Sequence, residues 1–294
     1  MLSRESQAKL GDGAPIPWVG FGTYLCSDEQ VSNSCTYALK TAGYLHIDTA
    51  EGYRTEAAVG KVLSELGIQP LVFVTTKLWP GVGDSVKNYD AVIQSAKDSR
   101  DKLGVPVIDL YLIHAPFAGP SGRIEQWRAL VELQSRGVCK SIGVSNYSVA
   151  HLQEIEAAGL PKPAANQLEI HPLCQHKDIV EYCTAAGILV IAYSSLAPLS
   201  DWRPGQNSAK GKQQENAVFA ALAAKYDVTT SQLLLRWALQ HGFPILPKSN
   251  HPERMDLNLN LFDFSIETDD MLSLDALDEN KCFAWPAGDP CLTP

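Results

Sequence analysis

The chain has 294 residues, of which 45% are hydrophobic and 19% are charged, a composition typical of a soluble globular protein. Its 33 acidic residues outnumber its 24 basic residues, and the formal net charge of −9 has the wrong sign for binding phosphate backbones or anionic lipid. No apolar run approaches the roughly 18 residues of a membrane-spanning helix, and the first residues lack the apolar stretch of a signal peptide. We therefore expect a cytoplasmic protein whose partner is neither nucleic acid nor a membrane.

Short apolar runs alternate with amphipathic stretches, a pattern that favours a parallel sheet with helices outside it. The runs are continuously apolar, as expected for strands buried on both faces. In chain order they are Trp18–Gly22, Leu45–Thr49, Leu71–Thr76, Ile108–His114, Lys140–Asn146, Ala164–Leu168, Leu189–Ser194 and Phe243–Lys248. Most precede a helical segment such as Glu56–Leu66 or Ser231–His241. Eight strand–helix units in about 250 residues predict an α/β fold, the (β/α)₈ or TIM barrel.

Two segments fall outside the repeat. Ala197–Gln214 is polar with Pro and Gly, so we expect a surface loop after the seventh strand, and residues 280–294 form a C-terminal tail. Long loops in compact domains are usually functional or disordered, which makes both segments candidates to close over bound ligands. No low-complexity linker divides the chain. We therefore expect one barrel domain over residues 1–294, with residues 280–294 as its tail or lid.

The cysteines indicate a reducing compartment. Their odd number, irregular spacing and lack of a Cys-x-x-Cys motif predict free, structural thiols. They are Cys26, Cys35, Cys139, Cys174, Cys183, Cys282 and Cys291.

Reacting groups of a barrel lie at the carboxyl ends of its strands. The second strand ends at Asp48 with Tyr53 five residues later, the third ends around Lys77, and the fourth ends at His114. Asp48, Lys77 and His114 share the two-residue period of inward-facing positions in their own strands. The sequence therefore directs an acid, a phenol, an amine and an imidazole toward one mouth.

Each of these four residues also has an ordinary structural explanation. A lone Asp at a strand end often makes a turn or cap, a Tyr packs, a Lys is solvated, and a His is a satisfied core residue. What favours a functional site is their joint placement on consecutive strands at one end.

The chemistry of such a group follows from its charges. A phenol with a pKa near 10 is a poor acid at neutral pH unless a cation favours its phenolate, and Lys77 is that cation. Asp48 can neutralise the buried ammonium, while His114 can donate a hydrogen bond to a carbonyl oxygen. The group contains no nucleophile, so the species that attacks carbon should come from a cofactor, most simply as a hydride.

Six stretches of the chain carry a family resemblance. They are HIDTAEGYRTEAAVG, VTTKLW, DLYLIH, GVSNY, NQLEIHP and LPKSNHPER. In this order and at these spacings they resemble the aldo-keto reductase family over residues 15 to 285. The resemblance implies a barrel enzyme that reduces aldehydes and ketones with NADPH, or sometimes NADH. By motif the catalytic residues fall on Asp48, Tyr53, Lys77 and His114, with Tyr53 as general acid and His114 orienting the substrate carbonyl.

The resemblance also implies how the cofactor is bound. No Gly-x-Gly-x-x-Gly follows a strand, so a Rossmann domain is not expected. At the nicotinamide end the matching positions are Gly22 and Thr23 beside the ribose, with Tyr24 and Asp48 nearby, Ser145, Asn146 and Gln167 at the carboxamide, and Tyr193 stacked on the ring. Ser194 and Leu196 match pyrophosphate contacts. At the adenosine end Lys248, Ser249, Asn250 and Arg254 match the grip on the 2′-phosphate, and Asn258 matches an adenine contact. This favours NADPH over NADH, although tight turns, strand-end caps and solvated helix-end charges would also explain these residues.

The expected substrate walls are aromatic. They are Tyr24, Trp79, Phe117 and Trp285, together with His114. Position 115 is Ala where many aldose-reductase-like members have Trp, which implies a wider pocket. Position 257 is Leu where many members carry an acid, which puts one adenine hydrogen bond in doubt. We expect a small carbonyl compound as substrate and a monomer.

Three other functions compete with this one. His46, Asp48, His114 and His171 could ligate a metal, but strands seven and eight end in Tyr-Ser and Pro-Lys, so no metal is expected. A glycosidase needs two opposed carboxylates, which strands four and seven do not supply. Some relatives are structural proteins or cofactor-sensing channel subunits; the four intact catalytic positions argue against that alternative.

Overall fold

The structure is a computed structural model that describes residues 2–199 and 213–294. It begins with an antiparallel hairpin of β1 (Gln7–Lys9) and β2 (Pro15–Pro17). A parallel sheet follows, formed by β3 (Phe21–Gly22), β4 (His46–Asp48), β5 (Phe73–Leu78), β6 (Ile108–Ile113), β7 (Cys139–Ser145), β8 (Ala165–Glu169) and β9 (Leu189–Tyr193). Each strand of this sheet pairs with the next one along the chain. This is the predicted α/β architecture.

The eighth predicted strand, Phe243–Lys248, does not form a regular strand, yet it closes the barrel. Ile245 makes parallel bridges to Val19 on one side and to Ala192 on the other. Pro244 and Pro247 flank Ile245 and have no N–H to donate, so a continuous ladder cannot form. The segment therefore joins the two edges of the sheet through single bridges, and the (β/α)₈ barrel is complete.

The helices surround the sheet, and their ends follow from local sequence. They are α1 (Asp28–Tyr37), α2 (Glu56–Leu66), α3 (Tyr89–Leu103), α4 (Gly119–Ser135), α5 (Val149–Ala157), α6 (Lys177–Ala186), α7 (Gln213–Lys225), α8 (Thr230–Gln240), α9 (Pro252–Leu259) and α10 (Thr268–Asp275). Ser27, Ser148 and Thr229 cap helices with capping boxes. The helix predicted at Glu56–Leu66 is confirmed, and the one at Ser231–His241 differs by one residue at each end.

The hairpin was not predicted, and it closes the amino end of the barrel. Ala8 and Ile16 from its two strands are buried in one cluster with Leu110 and Leu112 of β6 and with Ile191 of β9. Leu110 and Leu112 share the strand face that leads to His114, so this cluster is the floor beneath the mouth. A larger apolar layer lies between the strands and the helices.

The prediction of free cysteines is wrong for one pair. Cys174 and Cys282 are bonded to each other across a sequence separation of 108 residues. An odd count and irregular spacing cannot exclude a pair that only the fold brings together. The other five cysteines are free thiols.

Of the two segments outside the repeat, the tail is described, and residues 200–212 of the predicted loop lie outside the described residues. Within residues 2–199 and 213–294, no helix has the length and apolar character needed to cross a membrane.

His46 makes the stability of the barrel depend on pH. Its ring is 0% exposed in β4, and Nε2 lies 2.9 Å from Thr75 Oγ1. Burial, and secondarily the charge of Lys77, lower its pKa to about 3. The unfolded chain takes up a proton on this histidine below about pH 6.5 while the folded chain does not, so stability falls as the pH decreases from 6.5 toward 3.

We expect His46→Gln, which can still hydrogen-bond Thr75, to reduce the loss of unfolding free energy between pH 7 and pH 5 by about 2 kcal/mol relative to the wild type. Urea unfolding of both proteins at the two pH values measures this difference. Equal losses in the two proteins would show that His46 titrates normally in the fold.

Candidate active site

A cavity of about 550 Å³ opens at the carboxyl ends of the strands. It runs from the ends of β3 and β4 across to the segment after β9 and to the closing segment. Of the predicted site residues it is lined by Gly22, Thr23, Tyr24, Asp48, Tyr53, Trp79, His114, Ser145, Asn146, Gln167, Tyr193, Ser194, Leu196, Lys248 and Trp285. The fold thus gathers residues from most of the strand ends around one space, as the barrel architecture requires.

A buried ion pair lies beneath the cavity. Lys77 Nζ on β5 lies 2.5 Å from Asp48 Oδ1 at the end of β4, with side chains 0% and 5% exposed. The ammonium also donates to the Thr49 carbonyl oxygen, while Gln167 Nε2 donates to Asp48 Oδ2 at 2.9 Å. Burial lowers the pKa of Lys77, and the Asp48 charge opposes that effect. The pair is therefore held in place by the ends of three strands.

Tyr53 lies above this pair, at the end of a short 3₁₀ turn, Glu51–Tyr53, that follows β4. Lys77 Nζ is 5.0 Å from the centroid of its ring. The expected lowering of the Tyr53 pKa by Lys77 is not found, because burial and the charge of Asp48 raise the pKa well above 10. Lys77 already has a counter-ion at 2.5 Å, so the phenol senses a nearly neutral pair. Tyr53 is consequently a phenol that holds its proton at neutral pH.

His114 completes the group directly after β6. It is 6% exposed, and its ring meets the Tyr53 ring edge-on at a centroid distance of 5.2 Å. Its Nδ1 atom is buried with no hydrogen-bond partner among the described residues. Burial first, and the charge of Lys77 second, lower its pKa well below 6.5. His114 is therefore a neutral imidazole at pH 7, able to donate one hydrogen bond.

An amide cluster forms the wall opposite. Asn146 Nδ2 donates to the His114 carbonyl oxygen and to Ser145 Oγ, while the Tyr193 hydroxyl donates to Asn146 Oδ1 at 2.7 Å. Asn146 and Ser194, which follow β7 and β9, have left-handed backbones with φ of 63° and 53°. Such conformations cost energy for residues other than glycine and concentrate at functional sites. The wall is rich in hydrogen-bonding groups.

The tail supplies the aromatic roof. Trp285 stacks on Trp79 at a ring-centroid distance of 6.5 Å and an interplanar angle of 16°. Its Nε1–H donates to the Tyr193 hydroxyl at 2.9 Å. Phe117 packs edge-on against both tryptophans from behind and is not among the cavity-lining residues. The Glu51 carboxylate accepts a hydrogen bond from the Trp79 backbone N–H at 2.9 Å, which helps to position Trp79.

The far end of the cavity leads to the start of α9. Lys248 lines the cavity. Its side chain is exposed, and so are those of Asn250 and Arg254. Ser249 Oγ accepts the His251 backbone N–H at 3.1 Å. Two exposed cations thus lie near a helix N-terminus, whose free N–H groups favour anions. Asn258 is 4% exposed and does not line the cavity.

The comparisons with known proteins identify the family. A model described as the Aldo/keto reductase family matches residues 19–279. The chain belongs to the aldo/keto reductase family. An uncharacterised oxidoreductase of Bacillus subtilis is 36% identical over 285 residues, 94% of each chain, and the glyoxal reductase of that organism is 34% identical over 283 residues, 95% of each chain. The solved aldo-keto reductase of Bombyx mori, in complex with NADP, matches with a TM-score of 0.83 at 30% identity, covering 96% of this chain and 95% of its own.

Some residues of this aldo/keto reductase site were not anticipated from sequence. Ser195 lines the cavity with a buried Oγ that has no hydrogen-bond partner in the described part of the chain. Leu235 and Leu246 add apolar wall, and Ala284 adds tail backbone beside Trp285. Ser195 lies between Ser194 and Leu196, so adjacency to those two was the available signal. Lys77 lies behind Asp48 and Tyr53 and does not line the cavity.

The Lys77–Asp48 pair gives a stability prediction. Lys77→Met leaves the Asp48 carboxylate buried without its cation, and breaking a buried pair in this way costs about 3–5 kcal/mol of unfolding free energy. Lys87→Met is the matched control, because Lys87 and its partner Glu51 have side chains 20% and 27% exposed. We expect a clearly smaller loss for the control in denaturant unfolding, and recovery of part of the loss in Asp48→Asn/Lys77→Met. Equal losses for the two single variants would contradict this assignment.

Proposed function

We propose that this aldo/keto reductase reduces aldehydes or ketones to alcohols with NADPH, and that Tyr53 is the general acid. The observation that carries the proposal is the arrangement of a protonated phenol and a neutral imidazole, in contact with each other, above a buried Lys77–Asp48 pair at the mouth of a cavity. Such a site can polarise and protonate a carbonyl group. It offers no nucleophile of its own.

The residues around the cavity fit a dinucleotide. Ser195 Oγ is a buried orphan hydroxyl next to Ser194 and Leu196, where the pyrophosphate is expected. Asn146 and Gln167 present amides where the carboxamide would lie, and Tyr193 offers a ring that would stack on the nicotinamide ring. NADPH would supply a hydride to the substrate's carbonyl carbon. The adenosine end of the proposed site consists of Lys248, Ser249, Asn250, Arg254 and Asn258.

The protein's own residues would handle the carbonyl oxygen. His114 would donate a hydrogen bond to it and fix the orientation of the C=O bond. Tyr53 would then transfer its hydroxyl proton to that oxygen. The raised pKa of Tyr53 does not prevent this transfer, because an alkoxide is a far stronger base than a phenolate. The Lys77 ammonium, 5.0 Å from the ring centroid, would stabilise the phenolate that forms only in part, because the Asp48 carboxylate offsets most of its charge.

The tail and the substrate walls belong to the same proposal. Trp79, Trp285 and Tyr24 would contact the substrate, with Phe117 supporting the two tryptophans. We propose that residues 1–294 are one domain in which residues 280–294 act as the lid. The substrate class is small carbonyl compounds. A cytoplasmic location, supported by the five free thiols, and a monomeric state remain our predictions.

A non-catalytic, cofactor-sensing role is the alternative. It would need a cofactor site without a proton donor. Tyr53, Lys77, Asp48 and His114 are brought together here with their buried charges compensated, which favours catalysis.

Replacing the proposed acid tests the function directly. Tyr53→Phe removes the hydroxyl and keeps the ring, so we expect the rate of aldehyde-dependent NADPH oxidation to fall by about 10²–10⁴-fold. The dissociation constant for NADPH should not change. Absorbance at the nicotinamide band and fluorescence titration measure the two quantities. Tyr89→Phe, which removes a phenol bonded to Glu132 on the outer helices, is the control. Full turnover by Tyr53→Phe would exclude Tyr53 as the acid.

Cofactor choice is tested at the other end. Lys248→Ala and Arg254→Ala each remove one cation from the proposed 2′-phosphate site, and we expect each to weaken NADPH binding about tenfold while NADH binding changes little. Lys61→Ala, at a side chain that is 70% exposed on α2, is the control for general loss of charge. Equal weakening of both cofactors would show that these residues do not contact the 2′-phosphate.

A further inference from the structure

The tail is fastened to the segment that follows β8. Lys281 N–H donates to the Leu173 carbonyl oxygen at 2.8 Å. The next two contacts converge on one buried carboxylate, because Phe283 N–H and Ala284 N–H donate to the two oxygens of Glu169 at 2.6 and 2.8 Å. Glu169 is 2% exposed at the end of β8. Trp285, the aromatic roof of the cavity, follows these contacts immediately.

One covalent bond joins the same two segments. Cys174 is buried in the segment after β8, and Cys282 is half-buried in the tail. Their sulfur atoms are bonded, with the Cα atoms 5.5 Å apart. Cys282 lies three residues before Trp285. The bond therefore holds the tail at the place where it turns toward the substrate end of the cavity.

One histidine contacts both sulfur atoms. His176 Nε2 lies 3.4 Å from Cys174 Sγ and 3.4 Å from Cys282 Sγ. Its Nδ1 atom faces Asp289 Oδ2 at 4.0 Å. His176 has a left-handed backbone, with φ of 45°, just before α6. An imidazole so placed can accept the proton of either thiol and can return it.

Burial raises the pKa of each of the other buried thiols. Burial raises the pKa of Cys139 to about 12 and that of Cys183 to about 11. Cys291 is in the same tail, and its sulfur lies within 4.8 Å of the His176 ring, but burial and the Asp289 carboxylate raise its pKa far above the usual value. Within the described chain, the Cys174–Cys282 pair is thus the place where two bonded sulfurs both contact one imidazole.

We propose that Cys174 and Cys282 form a reversible disulfide, called the redox fastening below, which small-molecule disulfides form and small-molecule thiols reduce. Its state determines how firmly the tail holds Trp285 over the cavity. The consequence for carbonyl turnover rests on the proposed function; the fastening itself does not.

The exchange balances with a disulfide RSSR as oxidant. Cys282, the more exposed thiol, loses its proton to His176 and attacks one sulfur of RSSR, which forms a mixed disulfide and releases RS⁻. The imidazolium passes this first proton to RS⁻. Cys174 then loses its proton to the same imidazole and attacks Cys282 Sγ, which releases the second RS⁻. That RS⁻ takes the second proton from His176. The products are the Cys174–Cys282 bond and two RSH. Two electrons pass from the protein to RSSR, and the reverse sequence opens the bond.

The test uses the full chain, fully reduced with dithiothreitol, freed of it, and exposed to oxidised glutathione. Intact mass and peptide mapping should show loss of two hydrogens at Cys174 and Cys282. Hydrogen exchange at Phe283 and Ala284, the amides bonded to Glu169, should be faster on the order of tenfold in the reduced protein. Exchange in α2 should be the same in both forms.

Matched variants separate the pair from general effects. Cys282→Ser, at the half-buried position, should exchange like the reduced protein under both conditions. Cys291→Ser removes a thiol from the same tail and should keep the full redox response. The proposal is overturned if the pair stays reduced in oxidised glutathione, if Cys291 is required, or if oxidation leaves exchange at 283 and 284 unchanged.

Zinc is the competing occupant, because the ligand atoms of Cys174, His176 and Cys282 all lie within 4.8 Å of one another. One zinc ion bound per reduced chain that blocks oxidation would replace the redox fastening with a metal site.

Turnover is a separate readout: the KM for a carbonyl substrate should rise several-fold on reduction. If neither form reduces any carbonyl compound, the proposed function fails, and the exchange data still decide the fastening.

Discussion

The active end of this barrel depends on the buried contact between Lys77 and Asp48. Two opposite charges away from water are stable only when their geometry is good and their remaining hydrogen bonds are made. Here the Thr49 carbonyl oxygen and the Gln167 amide make those hydrogen bonds, so the pair connects the ends of β4, β5 and β8. Tyr53 and His114 pack above this pair, and burial there keeps the phenol protonated and the imidazole neutral.

The sequence anticipated what local patterns determine. Continuous apolar runs predicted the strands, and the two-residue period predicted that Asp48, Lys77 and His114 face inward, as they do. The eighth run was predicted as a strand because it is as apolar as the other seven. Its two prolines have no N–H to donate, so it forms only single bridges to the strands on either side of it. The hairpin floor was missed because three-residue strands carry almost no periodic signal.

What the sequence could not supply is the meeting of distant segments. Cys174 and Cys282 are 108 residues apart, and nothing in either neighbourhood points to the other. Glu169 lies in a motif that was recognised, but its bonds to the Phe283 and Ala284 amides depend on where the tail lies. The effect of Lys77 on Tyr53 was misjudged for a related reason: a cation's influence depends on how tightly its counter-ion holds it, and a distance of 2.5 Å is a property of the fold.

We propose that Tyr53, and not His114, gives the proton to the carbonyl oxygen. The pH dependence of kcat/KM for aldehyde reduction, measured from pH 5 to 10, distinguishes the two residues. A tyrosine acid whose pKa lies well above 10 predicts that the rate persists as the pH rises through about 6.5 and on to pH 10. A decline centred near pH 6.5 would mean that an imidazolium is the acid, which would contradict both the role of Tyr53 and the neutral state of His114.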